Sequence, residues 1–562
     1  MWIPILLVAA DITPQNVAKL SAVWTYATQG LHQPRRGRPS AFETTPLYAN
    51  GMLYGTSAIG RVFALDPATG KEHWSFDPKI DLEAGYGDFT NRGVSYWPGG
   101  LVIAVSVDAR MFALDARTGQ QKWTVNLREG LRLPPKEFSA YEQTSPPCVI
   151  GDIVVAGSAI ADNGWTDNAS GEVRGFDVRT GKLLWTWDPI PNSKTGGANA
   201  WSRIVGDPAR GLVFVPTGSP SPDYYGGERK PRNHGNSVVA LEAKTGKLRW
   251  AFQTVHHDLW DYDVAAPPLL LKAKGRDAVA VGSKSGNLFL LDRDTGAPLF
   301  PVEERAVPKS DVPGEEASAT QPFSIQLVPR TFVAWGPTPE AKRWCEEAVS
   351  KLRYDGIFTP PSLRGTLAYP GNIGGLHWGG MTYDARLKLI VAPVNNLPAI
   401  VQLIPRAEYR DAQKSDKFSM EFAPQWGTPF GMARRLLLSP QGLPCNAPPW
   451  GTLAAVDANT GQVKWQVPLG KFGEVPGTIN LGGPLALPSG VTFIGATLDG
   501  YFRAFSSATG LVLWEAKLPA SARSTPMTYT HRGRQYVAVA AGGHDPKFGP
   551  LDDKLVVFAL PK

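Results

Sequence analysis

An all-β, eight-bladed β-propeller carrying a short helical insertion is the fold this 562-residue sequence predicts. The first sign is a phrase that ends in Thr-Gly and usually places Trp four residues later. It recurs seven times, beginning at Val62 (VFALDPATGKEHW), Met111 (MFALDARTGQQKW), Val173 (VRGFDVRTGKLLW), Val238 (VVALEAKTGKLRW), Leu288 (LFLLDRDTGAPLF), Leu453 (LAAVDANTGQVKW) and Phe502 (FRAFSSATGLVLW). The second is the spacing of the turn glycines, mostly about 50–65 residues, which suits one propeller blade with its loops. The third is composition: 18 Trp, 59 Gly and 50 Pro with 19% charged residues fit a turn-rich β protein and exclude extensive disorder.

Each phrase opens on alternating β-prone residues such as Val62-Phe63-Ala64-Leu65, which predict a half-buried strand. Asp-x-x-Thr-Gly then predicts a turn, with Asp bonding nearby N–H groups and Gly supplying positive φ. The next strand carries Trp to fill the wedge between radially arranged sheets. The interval from Gly296 to Gly461 is too long for one blade. Within it, the segment 379–384 followed by 387–391 has the pattern of a strand pair without the phrase, and counting it as a blade brings the total to eight. The closing run at 555–560 is expected to seal the ring against the first blade. One propeller domain over residues 1–562 is therefore expected, with an irregular, helical insertion at 301–375. Thr338-Pro339-Glu340 is a helix start with Pro at the first position. Trp344, Cys345, Ala348, Val349 and Leu352 share one face of that helix, and Gly356 ends the run.

The formal net charge is +7, yet no Lys/Arg run exceeds fragments such as Arg35-Arg36-Gly37-Arg38, which excludes a nucleic-acid motif and leaves solvated basic surface. Residues 1–10 are apolar but too few to cross a bilayer, which needs about 20. They also lack the basic start of a secretory signal, so a remnant of one, a mis-set start and a strand stay open. No later stretch is a transmembrane candidate. Of the cysteines, Cys148 beside Val149 predicts a buried apolar residue. Cys345 and Cys445 lie in irregular regions where a disulfide would be useful, though sequence leaves the pairing open. No Cys-x-x-Cys-His is present, so no covalent c-type haem is expected.

Chemistry is sought where the repeat breaks. The run 254–263, TVHHDLWDYD, packs three carboxylates, two imidazoles and two aromatics into ten residues. It suits metal binding or acid–base chemistry; equally, its Asp residues could cap turns and its aromatics cover a blade edge. Lys284 stands between small residues in GSKSGN, 282–287, with ligand contact and plain surface both open. Asp162-Asn163 offers hard oxygen donors for a cation, or simply an Asn-Gly turn.

Taken together, these residues resemble the quinoprotein dehydrogenases that use pyrroloquinoline quinone (PQQ), most nearly the catalytic portion of membrane-type glucose, polyol and quinate dehydrogenases. The likeness runs from Ile12-Thr13-Pro14 to Gly542-Gly543-His544. It rests on the Trp-docking phrases, HHDLWDYD at 256–263, GSKSGN at 282–287, the segment from Pro370-Gly371-Asn372 to Trp378-Gly379-Gly380, and Leu403-Ile404-Pro405-Arg406. The resemblance implies Asp261 as catalytic base and Lys284 as the cation on the quinone oxygens. It implies Trp201 as the floor under the flat cofactor, and Glu43, Arg92, Thr144 and Trp378 as further PQQ contacts. Asp162, Asn163 and Asp261 become ligands of Ca²⁺, with Mg²⁺ as the alternative and Ser221 as a weaker further ligand. Asp261 beside that cation is expected to keep a low pKa. The implied activity is oxidation of an alcohol group of a sugar, polyol or cyclic alcohol in the periplasm, with electrons passed to a quinone or cytochrome. A non-enzymatic propeller scaffold is the alternative. Departures are the missing adjacent Cys pair of methanol- and ethanol-type relatives, the absence of five membrane helices, and Gly87-Asp88-Phe89-Thr90 where glucose-oxidising members place a His; the last argues against glucose.

Overall fold

Eight four-stranded antiparallel sheets follow one another along the chain in the computed structural model, which describes residues 11–562 except 228 and 230–232. The apolar residues 1–10 lie outside the described residues. The first blade comprises Leu47–Ala49, Met52–Thr56, Val62–Leu65 and Glu72–Phe76, so each phrase supplies a third and a fourth strand. First strands touch those of neighbouring blades and so line the axis. Between every adjacent pair of sheets lies a buried apolar cluster, and the last such cluster joins the eighth blade (Tyr529, Ala538, Leu555) to the first (Leu53, Phe63). That closes the ring.

The third strands are not half-buried as their alternation predicts. All four residues of Val62–Leu65 are buried, because a neighbouring blade covers each face of the sheet. In the fourth strand Glu72–Phe76 the Trp is buried while Glu72, His73 and Ser75 are exposed.

The blade count is eight for a different reason from the one expected. Thr382–Asp384 and Leu389–Asn395 are not a separate blade: they pair with Gly451–Asp457 and Val463–Pro468 to complete the sixth, which bears the phrase at Leu453. The eighth blade is built from both ends of the chain. Met527–His531, Arg534–Ala541 and Lys554–Ala559 take Ser21–Ala27 as their outermost strand, antiparallel from Ser21 opposite Ala559 to Ala27 opposite Lys554 with a bulge at Val23.

Each docking ring rests on the turn glycine of the following blade. Trp24, Trp74, Trp123, Trp185, Trp250 and Trp465 lie against Gly70, Gly119, Gly181, Gly246, Gly296 and Gly510, and Phe300 takes the role against Gly461. Trp185 Nε1 donates to the Ala243 carbonyl at 2.9 Å, and the other five Trp residues make the equivalent bond. In the turn itself, Asp66 Oδ1 accepts from the Ala68 and Thr69 N–H groups and the Thr69 hydroxyl. Trp514 of the seventh blade has no Thr-Gly turn to meet and packs on Phe558 instead.

Residues 301–375 are not all insertion, since Ile325–Gln326 is the fourth strand of the fifth blade. The additional structure is a ninth four-stranded sheet of Thr366–Ala368, Ala399–Pro405, Phe430–Leu436 and Glu421–Ala423, together with the helix Pro339–Ser350. Thr338 caps that helix by accepting from the Ala341 N–H at 3.2 Å, and it ends at Ser350, before Gly356. Its apolar face meets Leu367 and Leu437, and a Cys345–Cys445 disulfide ties it across a separation of 100 residues. Cys148 is free and buried. Among the described residues no helix is long and apolar enough to cross a membrane.

A Cβ on Gly246 (φ +69°) would stand 2.4 Å from the Trp185 ring, whereas one on Gly275 (φ +73°) would meet nothing within 4 Å. Gly275→Ala is expected to cost only the left-handed strain of about 1–2 kcal/mol. Gly246→Ala should add an overpacking penalty of about 1–3 kcal/mol. Parallel thermal melts check this; equal losses would mean the docked ring yields freely.

Candidate active site

Topology gathers the functional side chains at one end of the ring. The segments that lead into first strands, and the loops between second and third strands, all lie on the same rim, while the Thr-Gly turns lie on the other. Glu43, Arg92, Thr144, Trp201, Asp261, Asp263 and Trp378 stand on lead-in segments; Asp162, Asn163, Asp223 and Lys284 stand on second-to-third loops.

The run 254–263 does both things its composition allowed. Asp258 caps the turn: its carboxylate accepts from the Trp260 N–H (3.2 Å), the Tyr262 N–H (3.0 Å) and the Ser219 hydroxyl (2.5 Å). Burial pushes its carboxyl up to about 6. His257 pairs with Glu315 at 2.8 Å and His256 with Gln253 at 2.9 Å. Trp260 and Tyr262 stack and are covered edge-on by Phe358. With the rest of the run anchored, Asp261, at φ +60°, and Asp263 face inward.

Two charge clusters meet there. At one end Arg92 is ringed by Glu43 (2.9 Å), Asp88 (3.2 Å) and the Thr144 hydroxyl (2.7 Å), and Arg523 reaches the other Glu43 oxygen at 2.8 Å. At the other end Lys284 Nζ bridges Asp261 (2.5 Å) and Asp263 (2.8 Å), and Arg434 holds the second Asp261 oxygen at 2.9 Å. Trp201 spans the two: its Nε1 donates to Asp263 at 3.2 Å, with Lys284 Nζ 5.7 Å and the Arg92 guanidinium 5.8 Å from its ring. Trp378 lies 4.6 Å from the same guanidinium, so Arg92 has two indoles beside it. Gly374 makes room, since a Cβ there would stand 2.5 Å from Lys284 Cγ.

On balance the protein groups around Asp261 act in the opposite direction from the bound cation that would give it a low pKa. Burial pushes its carboxyl above the usual range, against the pull of Lys284. Burial depresses Lys284, but Asp261 and Asp263 together carry it above the ordinary lysine value. Asp162 is pushed well up by burial and by Asp263 and Asp261, and Asp223 by burial and Asp162.

The cation ligands implied by the resemblance are brought near one another, yet among the described residues no three His, Cys, Asp or Glu groups converge on one point. The donor chemistry does fit a hard divalent ion. Asn163 Oδ1, Asp223 Oδ1 and Ser221 Oγ are buried without a hydrogen-bond partner, and Asn163 Nδ2 donates to Asp223 Oδ2 at 2.5 Å. A flat polycarboxylate fits the other half, where arginines and indole faces adjoin.

The family profile for PQQ glucose/ethanol/alcohol dehydrogenase, β-propeller domain, matches residues 7–537. This chain belongs to that family. It is 38% identical to quinoprotein glucose dehydrogenase A of Acinetobacter calcoaceticus over 98% of this chain and 77% of that protein. It is 35% identical to the quinate/shikimate dehydrogenase (quinone) of Acinetobacter baylyi over 99% and 77%. Among solved structures, the quinohemoprotein alcohol dehydrogenase of Comamonas testosteroni superposes with a TM-score of 0.71 at 26% identity, covering 98% of this quinoprotein chain and 78% of that one.

Sequence reasoning missed Asp223, Tyr224, Arg434 and Arg203. Asp263 was legible, two residues beyond Asp261 in the same run. Arg434 was not: it arrives from the inserted sheet, 173 positions away from the carboxylate it holds, with no local pattern to mark it.

Glu142 steadies the Arg92 end from below, accepting from the Gly87 N–H at 2.7 Å and the Asp88 N–H at 3.1 Å. Burial, with Asp88 adding, pushes it up to about 8 from 4.5. The unfolded chain therefore sheds this proton first as pH rises, so stability should fall between about pH 4.5 and 8. Glu142→Gln lacks that proton, and its melting temperature should drop less than the parent's across the same window. An equal drop would show that Glu142 stays ionised in the fold.

Proposed function

We infer that this chain oxidises a CH–OH group of a sugar, polyol or cyclic alcohol, with PQQ taking the hydride and a Ca²⁺ ion beside it. The observation that carries this reading is the convergence of Trp201, Trp378, Arg92, Lys284 and Asp261 around one axial mouth. When bound, PQQ supplies the carbon that accepts hydride, and Ca²⁺ supplies Lewis acidity. Arg92, Thr144 and Glu43 would hold the cofactor's polar edge between the indoles of Trp201 and Trp378. Asp162, Asn163 and Asp261 would hold the cation, and the Ser221 hydroxyl is a further donor.

Asp261 is the group that takes the hydroxyl proton, at a carboxylate oxygen. The burial that raises its pKa strengthens it as a base, while Lys284 and Arg434 favour its charged form. Lys284 Nζ then offers its charge to oxygens that become negative as hydride moves. The buried walls exclude water from the reacting pair. Asp88, paired with Arg92, occupies the stretch where glucose-oxidising members place a His, and this favours another polyol or a cyclic alcohol. The acceptor is a quinone or a cytochrome; a quinone stands in the name of the Acinetobacter baylyi relative. Work in the periplasm goes with this reading, by likeness to the family.

Adding PQQ and Ca²⁺ to cofactor-free protein should produce cofactor absorbance and dye-linked oxidation of at least one alcohol in a substrate panel. A protein that takes up neither would be a scaffold. Asp261→Asn should retain PQQ and lose about 10²–10⁴-fold in kcat; unchanged turnover would remove Asp261 from the reaction. Ca²⁺ alone should raise the melting temperature of the parent and leave Asp162→Asn/Asp223→Asn unmoved. A full shift in that double variant would put the ion elsewhere.

A further inference from the structure

Behind the active site the axis of the ring is hollow. A cavity of about 300 Å³ lies among residues that follow the site residues along the first strands: Leu47, Val94, Leu269 and Met381 stand beyond Glu43, Arg92, Asp263 and Trp378. Its walls are mainly apolar, including prolines and aliphatic side chains. Trp378 separates it from the site, since the same residue lies against Arg92 and lines the cavity.

One charge sits in this apolar space. Arg203 lines the cavity, and its Nη2 donates to the Thr45 hydroxyl (2.5 Å) and the Arg92 carbonyl (3.1 Å). Arg92, Arg523, Lys284 and Arg434 each have a carboxylate partner; Arg203 has none among the described residues, and burial with Arg92 nearby pulls it down to about 10. A pocket of this size, apolar with one placed polar group, is the common form of a small-molecule site. Its guanidinium calls for an acceptor oxygen and its walls for a flat apolar body.

We propose that this cavity seats the ring of the electron-accepting quinone, one quinone oxygen accepting from Arg203 and the ring edge lying against Leu47, Val94, Leu269 and Met381. This rests on the dehydrogenase reading above and decides between its two acceptors, because the space admits a ring and not a cytochrome. In the step, the quinone takes two electrons from the reduced cofactor on the far side of Trp378 and two protons from water, and the cofactor gives two protons back to water. The quinone's two C=O groups become C–OH and the cofactor returns to its oxidised form. Arg203 stabilises the negative charge that develops on the quinone oxygen as electrons arrive. The alcohol keeps the front mouth, where the inserted sheet brings Arg434 over Asp261. Donor and acceptor thus use opposite sides of the cofactor.

The test uses 2,3-dimethoxy-5-methyl-1,4-benzoquinone with two plugs of the cavity, Leu269→Trp and Leu47→Trp, and with Arg203→Met. Holoenzyme reduced with dithionite, so that no alcohol is needed, is mixed with the quinone and its reoxidation followed by absorbance. Both plugs should slow reoxidation at least tenfold while retaining the parent's PQQ content, and Arg203→Met should weaken quinone binding at least tenfold. In cofactor-free protein, saturable quenching of tryptophan fluorescence by the quinone should be present in the parent and in Asp261→Asn, and lost in Arg203→Met. Parent-like reoxidation in a folded, PQQ-loaded plug would overturn the proposal and send the acceptor to the front mouth. Loss of PQQ from Arg203→Met with parent-like quenching would also overturn it, by assigning Arg203 to the cofactor. Should the parent oxidise no alcohol yet show Arg203-dependent quenching, the dehydrogenase reading fails and the quinone site stands.

Discussion

The contact on which the rest depends is an indole laid on a glycine. Eight wedge-shaped sheets close a ring only at one angle, and the Trp-on-Gly contact sets that angle between successive blades. A Cβ at any of these turn glycines would stand 3.0 Å or less from the docked ring, so the position admits only Gly at native spacing. The Nε1 bond to a backbone carbonyl adds direction to what is otherwise shape. Phe300 keeps the contact but has no N–H to give, and the blade it leads into also carries the large insertion. The seam between the seventh and eighth blades lacks the latch, and there an aromatic cluster of Phe493, Phe502, Trp514 and Phe558 takes over. That seam adjoins the blade assembled from both ends of the chain, so strand pairing between Ser21–Ala27 and Lys554–Ala559 does the closing.

Closing the ring also delivers charge to the axis. Every blade presents its lead-in residue at the same rim, and many of those residues are ionic, which would be costly if they were left unpaired. The structure divides them. Arg92 and Arg523 collect at the Glu43–Asp88 end and Asp261 and Asp263 at the Lys284–Arg434 end, with Trp201 touching both. Four carboxylates within electrostatic reach of one another, Asp162, Asp223, Asp261 and Asp263, make one end a place for added positive charge. At the other end Arg92 and Arg523 share Glu43 and two indole faces adjoin Arg92, which suits a flat carboxylated ring. A flat polyanion next to a divalent cation satisfies both ends together, whereas either alone satisfies one.

How much of this could be read from the sequence follows from how local each feature is. The docking phrase is local, and it carried the architecture. The capped start of Pro339–Ser350 is local too, and Thr338 caps it as its position implies. The blade at 382–395 was misassigned because its third and fourth strands lie beyond residue 450, with a whole inserted sheet between; no pattern within a window of that size records the pairing. The burial of third strands on both faces was hidden for a related reason: alternation reports one neighbour, and a propeller supplies two. In the site, Asp261 and Lys284 stood in unusual local contexts, while Arg434 and Arg203 have ordinary neighbours in sequence and matter only through the fold.

The inserted sheet shows why such residues escape notice. Arg434 bonds the Tyr224 hydroxyl at 2.6 Å, Asp261 at 2.9 Å and both oxygens of Glu421, at 3.0 and 2.9 Å. It therefore joins three segments that no repeat places together. Its reach depends on the sheet holding still, and the Cys345–Cys445 link, with the helix Pro339–Ser350 packed on Leu367 and Leu437, braces that sheet. A guanidinium anchored twice by Glu421 cannot swing freely, so it holds the Asp261 oxygen on one side while Lys284 holds the other. The Asp261 carboxylate is thereby oriented by two cations of different origin, one from a blade loop and one from the insertion. The insertion thus adds to the rim of the ring a charge that no blade supplies.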